Sequence, residues 1–518
     1  MTLAVLLVGA ASVHAQALPP SPPEPDSPPA ALTPLLRVVF APPDAGIPIA
    51  RYVRDEARVR QQQPFDWRAE RRACEGCPPR SVGRALFQTT MINVFYELAN
   101  LIRGQVTAEI SPKTWWTNMK QGWVWDLNDF PVNQIGHPYQ GNNYFTSGRA
   151  NGLSFYESAA IAAFGSSTWE YFGETNHASM NDFINTTLGG IALGEMFHRM
   201  AWLVRDTRAT GSRRLWGEIG ATALDPVGGY NRFRNGDAER VTDMPADMVP
   251  SSLAGFTAFG ALWQGSQSRA FDELGKAFVE MNVLYGDAQT GHSRTPYDAF
   301  GVTLRLGGGK PFSDARVRGR LLGQPLGGGK TQFSVFQTYD YQANDAYATG
   351  SQSVEAAIGL TRALSDKNNV WFMGWGGLTV LGAIDSLPLG LTERPPEPEE
   401  GEGEGEGSDA GQGVSEGPRF YDYGPGSTFG ALAVFSRNGR AFTTLFYEGR
   451  QLYSLDGVRA NHFLQRGRVD LLLPLRGPLG FGVSAEYFFR QSYYQDEARS
   501  QLQYRYPQFR AYFTWRVE

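Results

Sequence analysis

The sequence predicts an α+β protein, with a helical N-terminal region that has a polar core and an antiparallel transmembrane β-barrel of about twelve strands. Three observations support this fold class. From about Phe256, apolar and polar residues alternate over segments of about ten residues, the length of a tilted strand that crosses a bilayer. Helical periodicity is confined to residues 81–234. Past the N-terminal segment, no apolar run reaches the roughly 20 residues that a spanning helix needs.

The composition suits such a barrel and narrows the classes of partner. Of 518 residues, 13% are aromatic and 60 are Gly, while only 19% are charged, below the roughly 25% that is usual in soluble proteins. Aromatic residues at this level are typical of membrane barrels, although a large soluble β-protein would also contain them. The net charge of -5 shows no basic excess, so no nucleic acid is expected as a partner.

The first two segments predict export. Residues 1–17 have the pattern of a signal peptide, with an apolar stretch before the small-x-small cleavage site Val13–Ala15. A short N-terminal anchor is the alternative. Residues 18–80 form a Pro- and Arg-rich linker that we expect in the periplasm. It contains Cys74 and Cys77, which in an exported protein favour a small disulfide loop over a redox motif.

Residues 81–234 form the predicted helical region. A first helical pattern begins at Ser81, and Pro112 ends it. Four Trp residues follow within a short stretch, which fits either an interfacial belt or a packed aromatic core. Two further helices are predicted, at Leu153–Phe172 and at Asp182–Val204.

The second of these helices has features of its own. Asn181 and Asp182 are predicted to cap its first turn. Gly residues at 189, 190 and 194 weaken it as an isolated helix, but they would let another backbone approach closely. The sequence from Leu224 to Phe233 predicts a turn that closes the helical region.

Residues 235–518 are predicted to form the barrel. In the segment that ends at Tyr285, Val279, Met281 and Val283 share one face, and Glu280 and Asn282 share the other. The apolar face of such segments is rich in aromatic residues, whereas the outer face of a soluble barrel or sandwich would be polar. This difference favours a barrel in the outer membrane of a Gram-negative bacterium.

Three breaks in the barrel pattern are interpreted as loops or turns. Residues 393–417 are acidic, rich in Gly and without a core-forming residue, so they predict a long extracellular loop. Gly307–Lys310 and Gly327–Lys330 superficially resemble phosphate-binding loops. They lack the spacing into a helix that such loops require, and we therefore predict turns between strands.

The window from His137 to Arg199 places ionisable side chains in apolar, helix-like surroundings. Buried charges are costly unless they are paired, so the window is either a structural polar network or an active site. The candidate catalytic residues are His137, Glu157, Glu170, Glu174 and Glu195. The candidate binding residues are Asn133, Tyr139, Asn181, Asp182 and Arg199.

An enzyme would use the window for acid–base chemistry. A histidine, His137 or His198, would act with one of the glutamates. A serine nucleophile would suit a lipid-modifying hydrolase, although the sequence has no G-x-S-x-G elbow. The serine candidates are Ser154, Ser158 and Ser166.

A metal site and a structural network are the other interpretations. Glu174–His177 and Glu195–His198 both have the Glu-x-x-His spacing of di-iron and di-manganese bundles, but such a site needs four helices. We predict no metal and no cofactor. In a structural network, Glu195 pairs with Arg199 across one helical turn, and the other glutamates accept hydrogen bonds from Asn, Ser and Tyr.

Several motifs occur in order within this window: N-x-x-x-H-P-Y-x-G-x-x-Y-F, S-F-Y-E-S, W-E-Y-F-G-E, N-D and G-G-x-x-L-G-E. With them, residues from about Ser81 to Arg234 resemble a bacterial family catalogued as domain of unknown function 3943. The resemblance implies an exported protein of Gram-negative bacteria with a C-terminal β-rich part, and it supplies no activity. All ten candidate residues are motif positions, whereas His177 and His198 are not.

The leading functional hypothesis is a plugged or gated outer-membrane barrel with a transport or envelope-structural role. In it the helical region fills the lumen or caps its periplasmic mouth. The alternative is an envelope enzyme that modifies a lipid or a glycan through His137 and the glutamates. Outer-membrane lipid is the expected partner in both cases.

Overall fold

The barrel is closed by pairing of its last strand with its first, and its twelve strands are antiparallel and follow the order of the sequence. This confirms the predicted fold class. The computed structural model describes residues 77–125, 130–265, 274–289, 293–327, 330–385, 421–455, 459–495 and 501–517. The predicted signal peptide, most of the linker and the acidic loop lie outside the described residues. Cys77 is disulfide-bonded, in agreement with the predicted loop.

The helical region precedes the barrel in sequence. Its α-helices are α1 (Val82–Ile102), α2 (Pro112–Gln121), α3 (His137–Arg149), α4 (Phe155–Phe172), α5 (Met180–Ile184), α6 (Gly190–Arg205), α7 (Gly211–Leu224) and α8 (Pro226–Asn235). Two π-helical turns, π1 (Val132–Gly136) and π2 (Asn185–Gly189), lead directly into α3 and α6. Short 3₁₀ turns lie at Val106–Ala108 and Ala246–Met248.

The strands are β1 (Leu253–Gln264), β2 (Lys276–Tyr285), β3 (Phe300–Gly307), β4 (Lys310–Leu326), β5 (Thr331–Ala343), β6 (Ala348–Ala363), β7 (Asn368–Asp385), β8 (Tyr421–Arg437), β9 (Arg440–Tyr453), β10 (Ala460–Pro474), β11 (Leu479–Tyr494) and β12 (Leu502–Val517). Most are longer than about ten residues, which leaves their ends free to extend beyond a bilayer core.

Several details of the predicted helical region were wrong. The predicted turn from Leu224 to Phe233 is mostly helix α8, because Asp225 caps a new helix by accepting from the backbone N–H of Gly228. Ser179, rather than Asn181 or Asp182, caps α5 through its hydroxyl. Helices α2, α3 and α7 were not predicted. In α3, the Gly, Asn and Pro residues have low helix propensity.

The lumen of the barrel is identified by contacts between strands that are far apart in the barrel order. Arg450 in β9 donates to Asp340 in β5 at 3.1 Å, and Arg490 in β11 pairs with Asp385 in β7 at 3.1 Å. Each pair joins strands four places apart, and in a closed barrel such side chains meet only through the interior. Asp340 therefore faces the lumen.

The helical region lies on the opposite side of this wall. Tyr339 and Tyr341 flank Asp340, so they point outward. The Tyr339 hydroxyl donates to the carbonyl of Gln134 at 2.6 Å, and the Tyr341 ring packs against Phe130. The hypothesis that the helices fill or cap the lumen is thus wrong for the described helices, which pack on the outer surface of the barrel.

The contact between α3 and α6 depends on glycine. A Cβ atom at Gly141 would lie 1.7 Å from the carbonyl oxygen of Thr186, and one at Gly190 would lie 2.4 Å from the carbonyl carbon of Gly141. The two backbones therefore touch, as the Gly residues of the sequence predicted. Among the described helices, none combines the length and the hydropathy that a membrane crossing requires.

Gly190→Ala is expected to destabilise the helical region. In an open helix this change would stabilise by about 1 kcal/mol. Here the new methyl group meets the backbone of Gly141, and overpacking of this kind costs about 1–3 kcal/mol. Urea unfolding followed by Trp fluorescence should therefore show an earlier transition for the helical region.

Gly83→Ala is the matched control. Gly83 lies in α1 with open space around it, so the same substitution should leave the stability unchanged or raise it. Equal effects of the two substitutions would contradict the backbone contact between α3 and α6.

Candidate functional site

The starts of α3 and π2 and the short helix α5 bring a row of three polar side chains together. The Thr186 hydroxyl lies 3.3 Å from Nδ1 of His137, and Nε2 of His137 lies 3.6 Å from the Asp182 carboxylate. Thr186 is 1% exposed, Asp182 is 2% and His137 is 6%. A π-helical turn widens the backbone ring and often occurs at functional sites. Threonine, histidine and aspartate in this order form the geometry in which a base could activate a hydroxyl.

The row continues into the barrel wall. Asn133 donates to the hydroxyl of Tyr421 in β8 at 2.9 Å. Asn181 donates to Asp182 at 3.0 Å, and it accepts from the hydroxyl of Ser179. The candidate residues Asn133, His137, Asn181 and Asp182 therefore belong to one buried polar cluster between the helices and the outer surface of the barrel.

Glu195 and Arg199 belong to a second cluster. Nε of Arg199 lies 2.8 Å from the Glu195 carboxylate, and Nε of Arg149 lies 3.0 Å from its other oxygen. All three side chains are buried. This confirms the predicted pair and adds Arg149, a partner that lies 46 positions away in the sequence.

Arg199 also donates hydrogen bonds to backbone and side-chain oxygen atoms at one end of the barrel. Arg199 donates to the Thr295 hydroxyl at 3.1 Å and to the Pro296 carbonyl at 3.0 Å, both in the connection between β2 and β3. It also donates to the carbonyl of Asp247 at 2.8 Å. Because carbonyl oxygens carry partial negative charge, they offset the second guanidinium that Glu195 alone does not neutralise.

The remaining glutamates act at separate places. Glu157 forms a capping box with Ser154 at the start of α4 and pairs with Arg80 at 2.9 Å. Burial opposes its ionisation, but hydrogen bonds from Arg80 and Ser154 prevail and hold the pKa of Glu157 at about 2. Glu170 accepts from the backbone N–H of Ser179 at 2.7 Å. Glu174 accepts from the indole of Trp169 at 3.0 Å.

The structure thus divides the candidate catalytic residues among separate sets of contacts. Tyr139 lies in the first turn of α3, and its carbonyl accepts from Asn143. Ser154 is a helix cap, and Ser166 donates to the carbonyl of Phe183. The predicted pairing of His137 with a glutamate is not what the geometry shows, since Asp182 is its acidic partner.

The two Glu-x-x-His patterns do not converge. His198 faces Asp225, with Nδ1 at 2.9 Å from the carboxylate, and Trp202 donates to its other nitrogen at 3.3 Å. Glu195, by contrast, faces the two arginines. Within the described residues, no group of three or more His, Cys, Asp or Glu is placed to hold a metal ion.

A third charged cluster was missed by the sequence analysis. The carboxylate of Glu218 in α7 is shared by Arg205, Arg214 and Arg232. The i,i+4 spacing of Arg214 and Glu218 is a sequence signal for one of these pairs. The other two depend on how α6 and α8 pack on α7, which the local sequence does not encode.

Residues 122–227 match the model of a family described as Domain of unknown function (DUF3943), which confirms the resemblance seen in the sequence. The matched segment contains the row of His137, Asp182 and Thr186 and the Glu195 cluster. No curated protein matches the chain.

Solved barrel structures are distantly similar. The CymD monoaromatic hydrocarbon channel is 8% identical, with 53% of this chain and 92% of that chain covered at a TM-score of 0.21. The toluene transporter TodX from Pseudomonas putida is 7% identical, with 52% and 90% covered at 0.19. The outer membrane protease OmpT from Escherichia coli is 6% identical, with 52% and 97% covered at 0.16. At these values the similarities carry no information about function.

Glu195→Ala is expected to lower the free energy of unfolding by about 3–5 kcal/mol, because it leaves Arg149 and Arg199 buried without their carboxylate. Urea unfolding of the purified protein measures this change. Glu239→Ala, at an exposed glutamate of the same region, is the control and should shift the free energy by less than about 0.5 kcal/mol. Similar small shifts in both variants would contradict a structural role for Glu195.

Proposed function

We propose that the protein is an outer-membrane β-barrel protein with an envelope-structural role, in which a closed barrel anchors the helical region within the lipid phase. The observation that carries this proposal is the apolar character of the outer surface. Exposed apolar side chains occur around the outside of the barrel and again on the outer face of helix α1.

The barrel contributes a belt of exposed apolar side chains on its outward face. A soluble barrel would cover this face with polar groups, whereas hydrocarbon favours it. Aromatic rings take part in the belt, as is typical of membrane barrels. Its members include Phe259, Val279, Val354, Ile358, Leu360, Phe372, Leu378, Phe429, Leu445, Tyr447, Val469, Leu471, Tyr487, Phe509 and Phe513.

The helical region also carries apolar side chains on its outer face. Along α1, the side chains directed away from the barrel are apolar, with Phe87 62%, Phe95 68% and Ile102 78% exposed. Each such side chain would gain about 1.5–3 kcal/mol on leaving water. The helices cover a part of the barrel wall that would otherwise contact lipid. Their own outer face is apolar as well, so it can contact the lipid in place of that wall.

The lumen supports a structural role over an open pore. Its wall carries charged side chains that neutralise one another, and the pairs Arg450–Asp340 and Arg490–Asp385 each cross the interior between strands four places apart. The ring of Tyr347 also stacks on Phe488, with centroids 3.8 Å apart. A solute that crossed the barrel would have to break these contacts.

Gated transport is the second candidate function. It is favoured by the ion pairs of the lumen, because their charged side chains could bind a polar solute after the pairs dissociate. The envelope-enzyme hypothesis receives less support. The row of Thr186, His137 and Asp182 has a catalytic arrangement, but its side chains are at least nine-tenths buried and serve the contact between helices and barrel.

Lipid exposure can be measured at single cysteines that carry an environment-sensitive fluorophore, in liposomes containing brominated lipid. Labels in place of Phe95 in α1 and of Phe513 in β12 should both be quenched, because both side chains face outward from the apolar surface. A label in place of the exposed, polar Glu239 is the control and should be quenched less. Quenching at Phe513 alone would place the helical region outside the lipid, and quenching at neither position would contradict the membrane placement.

Planar bilayer recordings distinguish the two candidate functions. We expect almost no ion conductance from the wild-type protein, because pairs such as Arg450–Asp340 bridge the lumen. If the barrel is gated, removing both side chains as Arg450→Ala with Asp340→Ala should raise the conductance. The exposed pair Arg208–Asp243, replaced in the same way, is the control and should have no effect. A large, steady wild-type conductance would contradict the closed lumen, and a silent double variant would exclude gating by this pair.

A further inference from the structure

Helices α6 and α8 line a cleft that contains none of the motif positions. The cleft is lined by Trp202 and Arg205 from α6 and by Asn231 and Arg232 from α8, with Pro78 at its edge. Its empty space is about 370 Å³, including the part that is open to solvent. His198 and Asp225 form its floor, where they pair with each other at 2.9 Å.

The charge around the cleft is unequal. A single carboxylate, that of Glu218, lies 3.1 Å from Arg205, 2.9 Å from Arg214 and 2.8 Å from Arg232. Glu218 and Arg205 are each about 1% exposed. One negative charge thus serves three guanidinium groups in a buried setting, where excess charge is costly.

The other carboxylates of the cleft remove this excess only in part. The charge of Asp225 acts on Arg205, but its hydrogen bonds are with His198 and with the backbone N–H of Gly228 at 2.8 Å. Asp237 lies 3.3 Å from Arg240, at the open side. Both acids therefore have cationic or N–H partners apart from the Glu218 cluster.

Arg205 has unused hydrogen-bonding capacity. Its Nε donates to Glu218, but its Nη2 is buried and has no acceptor among the described residues. Burial, and next the charge of Arg232, lower the pKa of Arg205 to about 10. A donor left unsatisfied in this way costs roughly 1–3 kcal/mol, more when it is charged. An anion in the cleft would relieve this cost.

An aromatic ring fixes the two arginines that line the cleft. The guanidinium of Arg205 lies 4.8 Å from the centre of the Trp202 ring, and that of Arg232 lies 5.3 Å from it. Such stacking holds the planar groups in place. Arg232 directs its Nε and Nη2 to Glu218, so its Nη1 is the group left for a ligand, beside the unpartnered Nη2 of Arg205.

We propose that this cleft binds a phosphate group, held by Arg205 and Arg232. Guanidinium groups are strong donors to the oxygen atoms of phosphate, and Arg205 and Arg232 both line the cleft, each with an N–H group that Glu218 does not use. The phosphate is either that of a lipid headgroup or a free anion. The lipid source rests on the membrane placement proposed above, whereas phosphate binding itself does not.

Exposed aromatic side chains on the same helices favour the lipid source. Tyr230 and Phe233 in α8 are 59% and 48% exposed, on the helix face turned away from the cleft-lining Asn231 and Arg232. Trp216 in α7 is exposed as well. Aromatic side chains beside cationic ones are typical of helices that lie at a membrane surface.

The test uses the full chain, purified in a non-ionic detergent at low salt, and isothermal titration calorimetry. The probes are inorganic phosphate and a short-chain phosphatidic acid, with the matching diacylglycerol as a neutral control. We expect saturable binding of both phosphate compounds. Arg232→Gln should weaken it roughly tenfold or more, because one charge-assisted contact is lost.

Arg213→Gln is the matched control, since Arg213 is an arginine of α7 that is about half exposed and pairs with Asp206. It should bind as the wild type does. Arg205→Lys is a second variant that keeps the buried charge but not the planar group, so it should weaken binding even if Arg232→Gln folds poorly. Urea unfolding of each variant shows whether it is folded.

The two sources give different affinities. If lipid is the ligand, the wild type should bind the phosphatidic acid roughly tenfold or more tightly than inorganic phosphate, which corresponds to about 1.4 kcal/mol. Equal behaviour towards both compounds supports a free anion and contradicts the lipid source. Absence of saturable binding, or equal binding by the Arg232→Gln and Arg213→Gln variants, would overturn the proposal. Because binding is measured in detergent, its failure is separate from a failure of the lipid-quenching experiment.

Discussion

The alternation of side chains across a closed strand wall is the constraint on which the rest of the structure depends. Successive side chains of a strand face the lumen and the outside in turn. Because a closed barrel has no edge strand, this alternation applies to every strand. Charged side chains face inward, where Arg450 meets Asp340 across the lumen. Apolar side chains such as Phe513 face outward. The two faces together define a membrane protein with an occupied interior.

The helical region uses the outer face as its foundation. Tyr339 and Tyr421 point outward and offer hydroxyl groups in an otherwise apolar wall. A hydroxyl directed into lipid would lack a partner, which costs roughly 1–3 kcal/mol or more. Gln134 and Asn133 supply those partners. Polar residues of the helices and of the barrel therefore satisfy each other's hydrogen bonds. The polar residues between His137 and Arg199 serve chiefly to form this interface.

The buried cluster around Glu195 ties the same helices to the end of the barrel. Its carboxylate joins α3 to α6 through Arg149 and Arg199, and Arg199 continues to the connection before β3. Such a cluster contributes specificity of placement more than net stability, because the desolvation of its charges offsets their attraction. It fixes where the helices sit on the barrel.

The sequence predicted those parts of the structure that depend on local pattern. Alternation around Glu280 identified β2, and helical periodicity identified α4 to within two residues of its start. The pair of Glu195 with Arg199 followed from their spacing. The position of the helices did not follow, since a polar helix surface suits a filled lumen as well as a polar patch on the outer wall.

What the sequence left open depends on contacts between distant residues. Asn133 and Tyr421 are 288 positions apart, and neither position alone indicates the other. The helix α3 forms although its residues have low helix propensity, because the Gly contacts with α6 and burial outweigh that preference. The arginine cluster around Glu218 likewise exists only once three helices are packed.

A disulfide cross-link tests the central claim, that the helices lie on the outside of the barrel. A Cβ atom at the outward-facing Gly350 would lie 3.2 Å from Cγ of Gln134, close enough for a disulfide between cysteines at the two positions. A protease site inserted after Gln264 separates the two halves, which stay joined on a non-reducing gel only if the disulfide forms. The account predicts joined halves for Gln134→Cys with Gly350→Cys, and separate halves when the lumen-facing Ser351 replaces Gly350 as the second site. If the halves stay joined only for Gln134→Cys with Ser351→Cys, the helices lie inside the lumen, and that result would contradict the account.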